Sequence, residues 1–114
     1  MPVSAAYREF AEEQLRRVVP VTTRSMFGGV GVYAEGLFFA LMDDDTLYFK
    51  VDDSNRPDFE ARGMGPFRPY GDETHVMQYY EVPPEVLEEP DTLRPWVERA
   101  VEVARRAKGK KKRK

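Results

Sequence analysis

Apolar and polar positions along this chain change period several times, and each change marks an element. From Ser4 onward, Tyr7, Phe10, Ala11, Gln14, Leu15 and Val18 recur at helical spacing. That predicts an amphipathic helix over 4–18 with Ser4 as its N-cap. Pro20 stops it, because proline lacks the amide hydrogen a helix interior needs. The period then drops to two or dissolves into continuous apolar runs. Strands are predicted over 22–28, 30–33, 37–42 and 46–51, with Gly28-Gly29 as a bulge or tight bend. Ala34-Glu35-Gly36 and Asp43-Asp44-Asp45 read as turns. In the fourth strand Leu47, Phe49 and Val51 share one face, Tyr48 and Lys50 the other. Connections this short leave no room for crossover helices, so the strands pair as antiparallel hairpins.

Beyond Val51 the pattern becomes helical again. Asp53 or Ser54 is placed to cap a short helix through Arg62, with Gly63 closing it and Phe59 anchoring it in the core. Residues 63–71 form a glycine- and proline-rich loop expected to be ordered by Met64 and Phe67. A fifth strand is predicted over 75–82, with Val76, Gln78, Tyr80 and Val82 on one face and Met77, Tyr79 and Glu81 on the other. Pro83-Pro84 ends it, and one helical turn follows over 85–88. Asp91 then caps a last helix whose inner face is Leu93, Trp96, Val97, Ala100, Val101 and Ala104. Pro95 is tolerated there as a first-turn residue. The expected architecture is α+β: an antiparallel meander of about five strands packed against N- and C-terminal helices, with a short helix in between. The expected domain spans 1–107, and 108–114 is too charged and too poor in apolar groups to fold.

Composition adds limits. The 114 residues are 41% hydrophobic, and a chain this long buries roughly two-thirds of its unfolded surface, enough for one core. Without cysteine, disulfides, thiolate metal sites and cysteine nucleophiles are excluded. The N-terminus has no basic start followed by an apolar stretch, and no apolar run approaches the ~18 residues of a membrane span. The expectation is a soluble cytoplasmic protein with no membrane contact. The net charge of −2 conceals an asymmetry. Residues 1–104 hold ten basic and twenty acidic side chains, a net −10. Residues 105–114 carry Arg105, Arg106, Lys108, Lys110, Lys111, Lys112, Arg113 and Lys114 and no acid.

Several phrases occur together in order: Arg24-Ser25-Met26-Phe27-Gly28-Gly29, Gly36-Leu37-Phe38-Phe39-Ala40-Leu41, Leu47-Tyr48-Phe49-Lys50-Val51-Asp52, Asn55-Arg56-Pro57-Asp58-Phe59-Glu60 with Gly63-Met64, Tyr79-Tyr80-Glu81-Val82-Pro83, and Trp96. With them the chain resembles the N-terminal domain of the TfoX/Sxy competence regulators over most of residues 4–106. The resemblance implies an α+β domain with an antiparallel sheet. In full-length relatives it precedes a second, helical domain, and those proteins regulate natural competence with the cyclic-AMP receptor protein at promoters. This chain ends at Lys114, so the second domain is expected to be absent.

Candidate chemistry is sparse. His75, the single histidine, follows Asp72 and Glu73. Adjacent residues on an extended loop point in different directions, so a solvated strand end is expected rather than a metal site. Asp43-Asp44-Asp45 lacks the spacing of a calcium loop and reads as a hairpin turn. Ser25 has no nearby base and no nucleophile-elbow phrase. Gly28-Gly29-Val30-Gly31 lacks the lysine and helix of a phosphate cradle. No catalytic residue, metal or cofactor is expected.

Arg24 stands beside small residues, where a guanidinium can hold a carboxylate or phosphate of a partner in two bonds. An internal ion pair is its commoner use. Arg24, Met26, Phe27, Gly28 and Gly29 form the candidate interaction residues. Tyr48, Tyr79 and Tyr80 are expected as core and cross-strand aromatics rather than base-stacking platforms, given the acidic body. The basic tail offers weak, non-specific nucleic-acid contact or an acidic partner surface. The expected role is a non-catalytic regulatory or protein-interaction domain whose partner is a protein, such as a DNA-bound transcription regulator. Alternatives are a small-ligand module or enzyme using Arg24 with nearby carboxylates, and nucleic-acid binding by the tail. Monomer and homodimer are both open.

Overall fold

Ser4 opens the folded chain as its cap. Its hydroxyl accepts a hydrogen bond from the Tyr7 amide at 3.1 Å, and its own amide donates to Asp45 Oδ1 at 2.7 Å. The structure, a computed structural model, describes residues 3–26, 28–68 and 78–112. The elements are α1 (Ala5–Arg16), β1 (Thr22–Met26), β2 (Gly29–Ala34), β3 (Leu37–Asp43), β4 (Thr46–Lys50), α2 (Arg56–Glu60), β5 (Tyr79–Glu81), α3 (Pro84–Glu88) and α4 (Pro90–Lys112). The five strands form one sheet in the order β1-β2-β3-β4-β5, every neighbouring pair antiparallel. The expected meander between two terminal helices is therefore what the chain forms.

Turn chemistry explains the tight connections. Glu35 and Gly36 have φ of 54° and 75°, and Asp44 and Asp45 have 52° and 54°. Two central residues with positive φ match the right-handed twist of the strands they join. Between β1 and β2, Gly28 takes φ of 82°. A Cβ on Gly29 would lie 2.5 Å from the Met42 carbonyl oxygen, so that site admits only glycine. Of the two readings of Gly28-Gly29, the bend holds and the bulge lies elsewhere. Val32 pairs with Ala40 and Tyr33 with Phe38, so Phe39 is the extra residue. Phe39 and Ala40 consequently both face the core.

One sheet face is dry. Val30, Val32, Phe39, Met42, Leu47 and Phe49 project from it and are buried. Ala11 and Leu15 of α1, Val86 and Leu87 of α3, and Leu93, Val97, Ala100, Val101 and Ala104 of α4 cover them. Each large apolar side chain so buried contributes about 1.5–3 kcal/mol.

Four details differ from the pattern-based expectation. Asn55, not Asp53 or Ser54, precedes α2, and it makes no cap bond. Its buried amide instead accepts from the Asp52 amide (2.9 Å) and donates to the Lys50 carbonyl (3.1 Å), tying off the end of β4. Asp52 holds the Ser54 amide and hydroxyl, an alternative to helix that short polar side chains offer the backbone. β5 spans three residues; positions 75–77 of the predicted strand lie outside the described residues. α4 begins one residue before Asp91, and Pro95 lies one turn inside it. The same helix continues through residues 108–112, where composition alone suggests no structure. Helix propagation from an already packed stem costs little per residue, and lysine is a good helix former.

Candidate interaction surface

The wet sheet face carries an aromatic row with a cation at each end. Tyr33 of β2 stacks on Phe38 of β3, ring centroids 5.2 Å apart at 25°, and Phe38 meets Tyr79 of β5 at 5.6 Å. The Arg24 guanidinium lies over Tyr33 at 5.9 Å, and Lys50 Nζ over Tyr79 at 5.1 Å. Antiparallel pairing builds this row: Lys50 lies opposite Tyr79 and Tyr33 opposite Phe38. Tyr79 is buried, and that burial, with Tyr33 adding to it, pushes its hydroxyl up to about 12. Tyr48 packs against Phe67 at 4.9 Å. The tyrosines are cross-strand and packing residues, the role expected of them.

The candidate interaction residues are partly gathered here. Arg24 is exposed, makes no ion pair among the described residues and lies over Tyr33. Met26 lies half-buried across Gly31, its Cε close to where a Cβ would stand. Gly28 and Gly29 make the turn and the close approach to Met42. Phe27 lies outside the described residues. Arg24, Met26 and the turn share the end of β1, whose far edge has no strand partner among the described residues.

Sequence reading missed the guanidinium that holds β1 in place. Arg8 of α1 donates to Thr23 Oγ1 (3.0 Å), Ser25 Oγ (3.2 Å) and Glu12 Oε2 (2.9 Å), and the Thr23 hydroxyl donates to the same Glu12 oxygen (2.7 Å). Partial burial alone would raise the Glu12 carboxyl; the bonds from Arg8 and Thr23 outweigh it and hold it below its ordinary value. Ser25 is thus an acceptor for Arg8. The only signal in the sequence was the i,i+4 spacing of Arg8 and Glu12; β1 is too far along the chain for pattern to join it to them.

The basic run divides. Arg105 donates to Glu35 (2.6 Å) and Glu102 (2.8 Å). Arg106 donates to Asp52 (3.1 Å) and the Ser54 hydroxyl (2.8 Å). These two arginines fasten α4 to the β2–β3 turn and to the segment after β4. Desolvation raises the Asp52 carboxyl, but bonds from Ser54 and Arg106 prevail and bring it down to about 2. Lys108 is exposed. Lys110, Lys111 and Lys112 lie in the last turns of α4, and Arg113 and Lys114 are outside the described residues.

Asp44 and Asp45 form the β3–β4 turn, with Asp45 engaged by Ser4 and the Asp44 carbonyl accepting from the Thr46 hydroxyl. Among the described residues no three histidine or acidic side chains gather as metal ligands, and no helix is long and apolar enough to cross a membrane. His75, Asp72 and Glu73 lie outside the described residues. The family model described as TfoX N-terminal domain matches residues 13–104. No curated protein matches the chain.

Proposed function

Because the chain belongs to the TfoX N-terminal domain family, we propose that it acts as a non-catalytic interaction domain that docks an extended, acidic segment of a protein partner along β1. The observation that carries this reading is the exposed Arg24, on a sheet edge, with neither an acid nor an edge strand partner beside it among the described residues. An open edge offers a row of backbone donors and acceptors to an incoming strand. A guanidinium beside it holds a carboxylate in two bonds and so fixes the register of that strand. The resemblance to competence regulators favours a DNA-bound transcription regulator as the partner.

Affinity capture from cell extract on the immobilised protein tests this, comparing wild type with Arg24→Glu. A regulator retained by wild type and lost by the variant, with retention falling as salt rises, is the expected result. Identical sets of retained proteins on the two would remove the reading.

A further inference from the structure

Between α2 and the first half of α4 lies an open cleft of about 370 Å³ whose lining includes Asp58, Phe59, Arg62, Pro95, Trp96 and Arg99. Phe59 is 1% exposed and forms its base. The Trp96 indole stands edge-on to that ring, centroids 4.8 Å apart at 89°, and is itself only half-buried. The Arg62 guanidinium lies 5.6 Å from the indole centroid. Arg99 stands one turn along α4 from Pro95 and Trp96 and pairs with Asp58; Arg62 pairs with Glu85 at 3.2 Å.

Two properties make this cleft receptive to an anion. First, the body has a net charge of −10 and only ten cations, yet two guanidiniums line one depression. Second, both ion pairs are solvent-exposed, with side-chain exposures of 47% and 65% for Arg62 and Glu85, and 61% and 46% for Arg99 and Asp58. Pairs of that kind contribute roughly 0–1 kcal/mol, so an incoming anion displaces the acids at small cost. A second concavity, along α1, is lined only by Glu9, Glu12, Glu13, Arg16 and Arg17. It is one helix's own charged face, with no aromatic or aliphatic residue in its lining. The α2–α4 cleft has walls from two elements, an aromatic base and two cations in its lining, a combination of apolar and polar groups that small-molecule sites use. Its volume falls at the low end of the ~300–1,000 Å³ typical of such sites.

We propose that this cleft binds a small organic anion: a planar ring lying against Trp96 and bearing a carboxylate or phosphate taken by Arg62 and Arg99. A ring contributes stacking and apolar contact, and the anion supplies charge-assisted bonds to the guanidiniums that line the site, in exchange for Glu85 and Asp58. The site is separate from β1 and does not depend on the interaction reading.

Trp96 is the single tryptophan of the chain, so its emission reports the cleft directly. Adenosine monophosphate and indole-3-acetate serve as ring-bearing anions, adenosine as the neutral ring and inorganic phosphate as the bare anion. At least one ring-bearing anion should shift the emission saturably and raise the melting temperature, as a ligand specific to the native state does. Adenosine and phosphate should bind at least about tenfold more weakly, the loss expected when one charge-assisted contact or the ring contact is missing. Binding of adenosine monophosphate alone identifies a phosphate ligand, and of indole-3-acetate alone a carboxylate. Arg99→Gln should weaken the productive probe by about tenfold, with Arg99→Lys recovering part of the loss. The proposal is overturned if neither ring-bearing anion binds better than adenosine and phosphate, or if Arg62→Gln and Arg99→Gln both leave binding unchanged. Should a variant fail to fold, the comparison among probes on the wild type decides alone.

Discussion

The two edges of the sheet are built on opposite principles. β5 is followed outward by a strap: the Phe67 amide donates to the Tyr79 carbonyl at 2.7 Å, the Glu81 amide to the Gly65 carbonyl at 3.0 Å, and Pro66 bridges Tyr80 between them. That strap also brings Phe67 onto Tyr48 and Met64 against the core. Beneath β5, Phe59 contacts both Tyr80 and Trp96. Among the described residues β1 has none of this. Its residues are Thr-Thr-Arg-Ser-Met, its burial is shallow, and its link to α1 runs through the polar cluster of Arg8, Glu12, Thr23 and Ser25. One edge is closed by backbone pairing and aromatic packing; the other is held from behind by charge and has no strand partner in front among the described residues. A sheet that aggregated through both edges would be a liability, and proline on an edge is a common way to blunt one. Here only one is blunted among the described residues, and the proposed docking of a strand uses the other.

Substitutions should separate the two edges by size of effect. The largest is expected on the closed side, where Phe59→Ala removes the ring under Tyr80 and Trp96 and should cost about 3–5 kcal/mol in chemical denaturation. A cost below 1 kcal/mol would mean that this edge does not depend on its aromatic base. A smaller effect is expected on the open side. Arg8→Ala leaves Glu12, Thr23 and Ser25 without their shared donor and should cost about 1–2 kcal/mol, discounted for partial exposure. Amide exchange should show the loss concentrated in β1, with β3 and β4 unaffected below global unfolding. The cluster should also be acid-sensitive. The folded Glu12 carboxyl lies below its ordinary 4.5, so its contribution is complete above that value and fades as pH falls toward the folded one. Glu12→Gln should flatten the stability profile in that range.

The smallest effect belongs to a contact at neither edge. Arg106→Ala frees Asp52, and because the pair is exposed (43% and 40% of each side chain) the cost at neutral pH should stay under ~1 kcal/mol. Asp52 has its carboxyl near 2 when folded against an ordinary 3.8. Its contribution is therefore present above pH 3.8 and lost as pH falls from 3.8 toward 2. Wild type and variant should converge across that window in acid titrations followed by circular dichroism.

What the sequence disclosed follows from which physical signals are local. The Ser4 cap, the Asp44-Asp45 and Glu35-Gly36 turns and the alternation of Leu47, Phe49 and Val51 are short-range, and each is present where the pattern placed it. The Phe39 bulge was illegible because Leu37 to Met42 is apolar throughout. With no polar residue to mark a face, a period of two leaves no trace. The start of α2 was misplaced for another reason: Asp53 and Ser54 are capping residues by type, but the residue that precedes the helix is Asn55, whose buried amide must satisfy itself and finds partners at the strand end. The Arg8 cluster and the α2–α4 cleft required knowing which distant segments meet. Trp96 and Phe59 were legible as apolar anchors of separate helices, whereas their perpendicular contact was not. Likewise, composition grouped Arg105 and Arg106 with the lysines after them, although their ion pairs to Glu35, Asp52 and Glu102 belong to the folded body.

The Phe39 bulge leaves β3 carrying one residue more than its neighbour needs. Leu37, Phe39, Ala40 and Met42 face the core, while Phe38 and Leu41 face away. Remove Ala40 and the string Leu-Phe-Phe-Leu-Met alternates without interruption, every survivor keeping its side of the sheet. Remove Phe38 instead, and the aromatic row that links Arg24 to Lys50 loses its middle member. Neighbouring positions in one strand are thus unequal under shortening. Length variation tolerated at position 40 and refused at 38 would be the evolutionary signature of a spare pleat.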